Sequence, residues 1–507
     1  MKQTVLAGVA CLFVTGATAA ITDPVRLDSG LISGGAGSTP EVRAFKGIPY
    51  ASPPVGGLRW RAPQPAAHWE GVRKAEAFGA TCLPNGANAS PAPSEDCLYL
   101  NVWTSAKSAS DKRPVMVWIY GGGFTNGSGS IPDYDGDALS KKGPVIVTFN
   151  YRLGAFGFFA HPELTKESDR GASGNYGLMD QVAALEWVQK NIAAFGGDPK
   201  KVTIFGESAG SMSVADLVAS RQAKGLFIRA IGESGAWMGL SVAPLRRLAD
   251  AEQAGIKTAE AVNAKSLAEL RQVPAEALMK AARGTGVIVD GWFLPDDPGK
   301  IYAQGKQNAV PVLVGSNKDE GTFFLQPTTA EKFTAQARQR YADSADAYLK
   351  LYPAGSDEEA NASALIGFRD EAAWGMRNWA RMQARTVKTK AFLYYFTHEP
   401  PADPNAKGPR RRGATHVAEV PYVFQNQRNR PWTDVDKQLS EAMSSYWVNF
   451  ATTGDPNGKG LPKWPAFDET RSPNPMVLGE KVEVGPGPLA KTQLDFYQAV
   501  YEKQEAR

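Results

Sequence analysis

A serine in a short glycine-framed segment is the first residue of this sequence whose setting suggests chemistry. The pentapeptide at 206–210, GESAG, has the pattern G-x-S-x-G, and it lies between the apolar run Val202–Phe205 and the helix-capable stretch Ser211–Ser220. A sharp turn between a strand and a helix strains the serine backbone and exposes its hydroxyl, and the flanking glycines avoid clashes there. The helix N-terminus that follows favours developing negative charge. The pattern therefore predicts that Ser208 is a nucleophile.

A second glycine-rich segment is suited to stabilising the oxyanion that forms when a hydroxyl attacks a carbonyl carbon. Gly121, Gly122 and Gly123 follow the apolar run Val115–Tyr120 and precede Phe124. Glycines leave backbone N–H groups open to a substrate oxygen, and the residue after the nucleophile contributes another such donor. Losing one oxyanion donor costs roughly 3–4 kcal/mol of transition-state stabilisation. The two segments together indicate acyl transfer.

A serine nucleophile needs a base, and the base needs an acid that orients it. In hydrolases with this turn the order along the chain is serine, acid, histidine, and two of the four histidines, His398 and His416, follow Ser208. His398 ends a strand-like run at 392–397, whereas His416 lies on a loop before the apolar segment 420–424. Because catalytic bases commonly lie on loops beyond strand ends, the spacing favours His416.

The acid is expected in the loop after the apolar run Val310–Val314. Asp319 and Glu320 are neighbours there, and spacing alone leaves both of them open. A carboxylate in such a loop is also an ordinary solvated side chain, so the residue types do not separate the two.

Alternating strands and helices must position these residues. Four short apolar runs bounded by glycine, proline and asparagine are typical of buried strands in a mostly parallel sheet; they span 115–120, 144–150, 202–205 and 310–314. Between them, Asp180–Ile192 has apolar residues at helical spacing, so the order of elements predicts an α/β fold. Two stretches, 241–285 and about 329–390, are predicted to be helical insertions over the sheet rather than separate domains.

The N-terminus has the pattern of an export signal. Lys2 precedes the apolar run Val5–Val14, and residues 17–19 read ATA, a cleavage site of the A-x-A type. We therefore expect cleavage after Ala19 and a secreted or periplasmic protein. No later run of 18 apolar residues is present, so the sequence predicts no membrane span.

Composition excludes several classes of protein. With 507 residues, 43% hydrophobic and 21% charged, the chain has ordinary globular composition. A net charge of +4 over this length is no nucleic-acid-binding footprint, and three cysteines are too few for a multi-cysteine zinc site. After export, Cys82 and Cys97 are the remaining pair, which favours a disulfide over two free thiols.

The chain resembles the type-B carboxylesterase family, which includes bacterial carboxylesterases, fungal lipases and the cholinesterases. The segments that carry the resemblance cover nearly the whole mature chain; they are FKGIPY at 45–50, SEDCLYLNV at 94–102, NYR at 150–152, GNYG at 174–177, FGGDP at 195–199 and WP at 464–465. The resemblance implies an α/β-hydrolase fold with one catalytic domain over 20–507.

The same resemblance implies a site. The family's acid motif G-x-N-x-x-E-G is met at 315–321 and its histidine motif G-A-x-H-x-x-E at 413–419, which implies a triad of Ser208, Glu320 and His416. It further implies oxyanion donors at Gly122, Gly123 and Ala209, a disulfide between Cys82 and Cys97, and support of the triad by Glu207 and Ser234. The implied reaction passes through an acyl-enzyme and requires no metal or organic cofactor.

The substrate is expected to be a small-molecule ester. Cholinesterases carry a cation-binding tryptophan in the loop closed by their matching disulfide, but residues 83–96 contain no aromatic residue, so a choline ester is not expected. Phe124, Trp237 and Phe323 lie beside the motif segments and are candidate substrate contacts, although core packing is an ordinary role for such residues.

Basic residues before the histidine motif suggest a more specialised substrate. Arg411 and Arg412 lead into the loop of His416, and arginine pairs with carboxylates, so a carboxylesterase for polycarboxylate esters is one candidate. A solvated basic loop is the ordinary role of such a run. A lipase is another candidate, and a non-catalytic adhesion or binding protein of the same fold is a remote one.

Overall fold

A large twisted sheet is the framework of this protein. The computed structural model describes residues 21–86, 89–236, 238, 245–404 and 412–505. The predicted signal segment lies outside these residues.

The strands of the described residues are mostly short, and the longest lie in the middle of the chain. They are β1 (Val25–Arg26), β2 (Leu31–Ala36), β3 (Arg43–Pro49), β4 (Val72–Ala75), β5 (Thr81–Cys82), β6 (Pro93–Ser94), β7 (Tyr99–Thr104), β8 (Arg113–Ile119), β9 (Val145–Phe149), β10 (Gly197–Glu207), β11 (Arg229–Glu233), β12 (Arg246–Arg247), β13 (Ile288–Val289), β14 (Val312–Asn317), β15 (Ala391–Phe396), β16 (Met476–Leu478) and β17 (Val482–Val484).

The helices connect the strands and cover the sheet. They are α1 (Asp137–Lys141), α2 (Gly154–Gly157), α3 (Pro162–Glu167), α4 (Tyr176–Asn191), α5 (Ala209–Ala219), α6 (Leu248–Ala261), α7 (Leu267–Gln272), α8 (Ala275–Ala281), α9 (Pro298–Ala303), α10 (Gly321–Phe324), α11 (Ala330–Tyr341), α12 (Ala345–Leu351), α13 (Asp357–Thr386), α14 (Val420–Val423), α15 (Asp434–Thr453) and α16 (Lys491–Glu505).

In the described part of the chain, thirteen strands form the main sheet. The order is β1-β2-β3-β7-β9-β8-β10-β11-β14-β15-β16-β17, with β4 paired to β2. Along this order all neighbours from β9 to β16 are parallel, while the strands toward both edges pair antiparallel. The predicted α/β-hydrolase fold with a mostly parallel central sheet is therefore confirmed.

The central strands are buried because their sequences are apolar on both faces. Every residue of β9, β14 and β15 is buried. The predicted strands are present with shifted ends: the one predicted over 202–205 already begins at Gly197, where it lies beside β8 before a register shift. The helix predicted over 180–192 is α4, which begins at Tyr176 because the turn before Asp180 is also buried.

The two stretches predicted as insertions are helical in the residues described. The first contains α6, α7 and α8, and the second contains α11, α12 and the 30-residue α13, which lies against β14 and β15. A second apolar cluster of aromatic side chains joins α11 and α12 to α13 and α16. Of the helices described, none is long and apolar enough to cross a membrane.

Candidate active site

Ser208 lies at the turn between β10 and α5, in the strained conformation that the GESAG pattern predicts. Its backbone has φ 58° and ψ −123°, and its N–H donates to the Glu233 carbonyl oxygen at 2.8 Å. The glycines on either side allow β8 to approach closely: a Cβ added to Gly206 would lie 2.6 Å from the Ile119 carbonyl oxygen, and one added to Gly210 would lie 1.9 Å from it. The turn therefore requires glycine at both positions.

The glycine-rich loop after β8 abuts this turn. A Cβ added to Gly121 would lie 2.8 Å from Ser208 Cβ, so the loop passes directly beside the serine. Gly122 and Gly123 have φ values of 104° and 62°, which side-chain-bearing residues rarely adopt. Ala209 is the first residue of α5, where backbone N–H groups have no partner within the helix. The Ala209 N–H, directly after Ser208, therefore has no partner within the helix.

A disulfide loop supports the glycine-rich segment that follows β8. Cys82 and Cys97 are joined by the predicted disulfide. Within the loop that they close, Asn85 donates through Nδ2 to the Gly127 carbonyl oxygen at 2.9 Å and accepts from the Gly127 N–H at 3.0 Å. Asn85 also donates to the Cys82 carbonyl oxygen at 2.9 Å. A pair of hydrogen bonds thus holds the end of the glycine-rich loop to a segment fixed by the disulfide.

His416 lies between two carboxylates. Its Nδ1 is 2.6 Å from Glu320 Oε2, and both residues are almost fully buried. The other oxygen of Glu320 accepts from the Asn317 N–H at 2.8 Å, which fixes the carboxylate. His416 Nε2 lies 3.0 Å from Glu207 Oε1 and makes no hydrogen bond to any residue that the structure describes. Because Glu207 precedes Ser208 in the chain, this nitrogen lies beside the turn of Ser208.

Asp319 and His398, the alternative acid and the alternative histidine from the sequence, form contacts elsewhere. Asp319 exchanges hydrogen bonds with Ala414, accepting its N–H at 2.8 Å and donating to its carbonyl oxygen at 2.9 Å. A Cβ added to Gly413 would lie 2.3 Å from Asp319 Oδ2, so this glycine allows the loop to approach. His398 instead bonds Asp436 at 2.8 Å through Nε2. Asp319 thus anchors the loop that carries the active-site histidine, and His398 belongs to another network.

Four buried glutamates lie in this part of the molecule, and two of them were assigned no role from the sequence. Glu419 accepts from the Ser234 hydroxyl at 3.4 Å and from the Asn317 amide. Glu233 accepts from Trp447 Nε1 at 2.8 Å. The histidine motif contains Glu419, which is a usable signal, whereas nothing in the sequence marks Glu233 except its position at the end of an apolar strand. Ser234, predicted to support the triad, reaches the site through Glu419.

Burial and mutual repulsion set the protonation of this cluster. Burial opposes the imidazolium of His416, but the carboxylates of Glu207 and Glu320 outweigh it and raise its pKa to about 9. Burial also raises the pKa of Glu207 well above its ordinary value, and it raises that of Glu419 to about 7. Glu207 and His416 therefore compete for one proton, and an ionised Glu207 favours the imidazolium.

An aromatic rim lies over the imidazole. The rings of Phe323 and Phe324, on α10, lie 5.3 Å and 4.6 Å from the His416 ring, and both phenylalanines are exposed. Phe324 also stacks on Phe368 at 5.3 Å. Phe124, by contrast, is buried, and its ring packs edge-on against Phe158.

The remaining predicted contacts fall mostly outside the described residues. Trp237 and Arg411 lie outside them, while Arg412 is exposed, four residues before His416. Within the residues described, no group of three or more His, Cys, Asp or Glu side chains is arranged to hold a metal ion.

Comparison with known proteins assigns the chain and its fold to a family. Residues 22–497 match the family model described as the carboxylesterase family. The chain is 38% identical to a fumonisin B1 esterase of Sphingopyxis macrogoltabida, over 94% of this chain and 92% of that one. It is also 38% identical to a para-nitrobenzyl esterase of Bacillus subtilis (strain 168), over 90% of this chain and 95% of that one.

Solved structures agree with the sequence relatives. A PNB esterase structure superposes with a TM-score of 0.81 at 34% identity and covers 93% of this chain and 99% of its own. A thermophilic PNB esterase superposes with a TM-score of 0.80 at 34% identity, over 93% of this chain and 99% of that one. This chain therefore belongs to the carboxylesterase family and is a carboxylic ester hydrolase.

Proposed function

We propose that this protein is a secreted serine carboxylesterase whose catalytic triad is Ser208, Glu320 and His416. The observation that carries the proposal is the 2.6 Å contact between His416 Nδ1 and Glu320 Oε2, with Nε2 facing the strained turn of Ser208. Residues 20–507 act as one catalytic domain. N-terminal sequencing of the secreted protein is expected to begin at Ala20.

The reaction follows from the roles of these groups. His416 takes the proton of the Ser208 hydroxyl as Oγ attacks the ester carbonyl carbon, and Glu320 orients and stabilises the imidazolium. The N–H groups of Gly122, Gly123 and Ala209 hold the oxyanion; the alcohol then leaves with the proton from the imidazolium. Water activated by the same imidazole hydrolyses the acyl-enzyme and releases the acid.

Formation of the Michaelis complex brings His416 Nε2 onto the serine hydroxyl. In the free enzyme this nitrogen lies 3.0 Å from Glu207 Oε1, and catalytic hydrogen bonds commonly tighten only when substrate binds. Glu207 acts by holding the imidazole beside the nucleophile before the substrate arrives. Ser234 acts through Glu419, whose carboxylate lies in the same buried cluster.

The aromatic rim favours esters with an apolar group beside the scissile bond. Phe323 and Phe324 present exposed ring faces next to His416, and such surfaces bind apolar acyl or alcohol groups. The relative named para-nitrobenzyl esterase supports an aromatic ester as a first substrate.

The central test compares the wild-type enzyme with Ser208→Ala on p-nitrophenyl esters of increasing acyl length. We expect kcat/KM to fall by roughly 10⁴-fold or more, because the nucleophile is lost. Ser110→Ala, at an exposed serine, is the matched control and should keep wild-type activity. Full activity in Ser208→Ala would refute the mechanism, and a sharp rise in rate above substrate solubility would assign a lipase instead.

A carboxylesterase for carboxylated esters is the second candidate, since Arg412 is exposed at the start of the loop that carries His416. Arginine binds carboxylates through paired, charge-assisted hydrogen bonds. On this hypothesis, Arg411→Ala and Arg412→Ala should each lower kcat/KM for a carboxylated ester and leave a neutral ester of the same shape unaffected. If the wild-type enzyme, Arg411→Ala and Arg412→Ala all have the same kcat/KM for the carboxylated ester as for the neutral ester, this hypothesis is excluded.

A further inference from the structure

A cavity of about 180 Å³ lies between α13, β15 and the segments that flank the hairpin of β16 and β17. Its volume far exceeds the roughly 10–15 Å³ that one water molecule requires. Prolines and leucines form much of its wall, and its polar lining groups include Ser316, Arg377, Tyr395 and Asn474. None of the triad or oxyanion residues lines it.

Arg377 is a charged group of this cavity without an ionic partner among the described residues. Its Nη1 donates to the Pro473 carbonyl oxygen at 2.6 Å, and its guanidinium lies 4.9 Å above the Phe467 ring. No carboxylate in the described part of the chain lies within 4 Å of it. The nearby Glu469 pairs with Arg381 instead, at 4.0 Å. A carbonyl and a ring thus orient the guanidinium, and neither of them neutralises its charge.

Such a guanidinium favours an anion. Burial lowers the pKa of Arg377; the negative charge of Glu469 opposes this effect, and the cationic Arg381 one turn further along α13 adds to it. A partly desolvated charge without a counter-ion is costly, and a carboxylate that reaches it gains charge-assisted hydrogen bonds. The leucine and proline walls, which include Leu489 and Leu494, are suited to an apolar chain or ring attached to that carboxylate.

We propose that this cavity is a binding site for an apolar monocarboxylate, with the carboxylate on Arg377 and the apolar part between Leu489, Leu494 and the face of β15. The inference does not depend on the proposed triad. Ser316 is one residue before Asn317, which holds Glu320, so the site adjoins the strand that carries the proposed acid. A free carboxylic acid is also the class of product that ester hydrolysis releases.

The test is isothermal titration calorimetry of the full mature chain with octanoate. The neutral probe of equal chain length is 1-octanol. We expect saturable binding of octanoate and at least tenfold weaker binding of octanol. Arg377→Gln is expected to weaken octanoate binding at least tenfold. Arg385→Gln, at an exposed arginine two turns along the same helix, is the matched control and should bind octanoate as the wild type does.

A second variant separates the cavity from the active site. Leu489→Trp fills the cavity without removing a charge, so it should also abolish octanoate binding while esterase activity remains. If Arg377→Gln fails to fold, Leu489→Trp still tests whether octanoate binds in this cavity. Octanoate binding that survives in Leu489→Trp, or that is absent from the wild-type protein, would overturn the proposal.

Discussion

At the scale of single residues, the active site is governed by the pairing of one imidazole with more carboxylates than it can neutralise. Glu320 lies on one nitrogen of His416 and Glu207 on the other. An imidazole held in this way is an effective base only when it is neutral, since the protonated form cannot accept the proton of a serine. If His416 is the base, as proposed, the carboxylates that position it therefore also set the pH at which it works.

Glu207→Gln is predicted to move the acid limb of the pH–rate profile to lower pH. The carboxylate of Glu207 helps to raise the pKa of His416 to about 9, so wild-type kcat/KM should decline as the pH falls through that value. Removing the negative charge lowers the pKa of the base, and activity should persist to lower pH. Profiles of kcat/KM against pH between about pH 5 and 10, measured for the wild type and for Glu207→Gln, test this shift of the acid limb.

The control for this experiment is Glu331→Gln, at an exposed glutamate on α11. Its profile should coincide with that of the wild type. An unchanged acid limb in Glu207→Gln would show that the carboxylate of Glu207 does not set the pKa of the base.

The sequence pointed to many of these residues, but it did not predict all of the contacts between them. The contact between Glu320 and His416 could be expected because a family motif contains each residue, and the strained turn at Ser208 because a strand-to-helix turn of this kind demands glycines around it. The contact between Glu207 and His416 could not be predicted, because it joins two segments that are far apart in the sequence and carry no shared motif. Glu233 carries no motif, and only its burial beside Trp447 reveals it.

At the scale of elements, the site is assembled where parallel strands end. Ser208 follows β10, Ser234 follows β11 and Glu320 follows β14. The carboxyl ends of parallel strands share one edge of the sheet, so these residues lie along the same edge although they are distant in sequence. Short apolar runs made the strands predictable, but their exact ends depend on register, as the early start of β10 shows.

Gly210→Ala is predicted to damage the site through the backbone. Its new methyl group would lie 1.9 Å from the Ile119 carbonyl oxygen, so β8 and α5 must separate and the serine must shift. We expect at least a tenfold loss of kcat/KM and a loss of about 1–3 kcal/mol in the free energy of unfolding, measured by ester hydrolysis and urea denaturation.

Gly375→Ala is the matched change in the interior of α13, where an added Cβ has no atom within 4 Å. Alanine suits a helix better than glycine, so the free energy of unfolding should rise by about 0.5–1 kcal/mol. Equal effects of the two substitutions would show that close approach at Gly210 is not what the turn requires.

At the scale of the whole molecule, one disulfide joins two segments that precede the central strands. Cys82 and Cys97 are 15 residues apart, and closing a loop of that size stabilises a folded chain by roughly 3 kcal/mol. Replacing both with alanine should lower the free energy of unfolding by about that amount. Denaturation of the double variant beside the oxidised wild type measures the difference, and coincident midpoints would refute the expectation.

The helices of the second predicted insertion, α11, α12 and α13, were predicted only in outline. Composition indicated helices over the second insertion, but the aromatic cluster that fastens α11, α12 and α16 to α13 was not foreseen. Tyr352 and Tyr497, whose hydroxyls lie 3.1 Å apart, come from segments far apart in the sequence. No local pattern links such residues, because their contact exists only once the chain has folded.

The hydrogen bonds between Asn85 and Gly127 have a practical consequence for anyone who makes this enzyme. They fasten the loop proposed to hold the oxyanion to a segment whose position depends on the sulfur–sulfur bond between Cys82 and Cys97. Protein recovered from the bacterial cytosol with both thiols reduced should therefore show a lower specific activity than the same chain recovered from culture medium, even where both preparations are fully folded. Kinetic comparisons between this enzyme and its relatives should therefore use preparations in which the disulfide is in the same redox state.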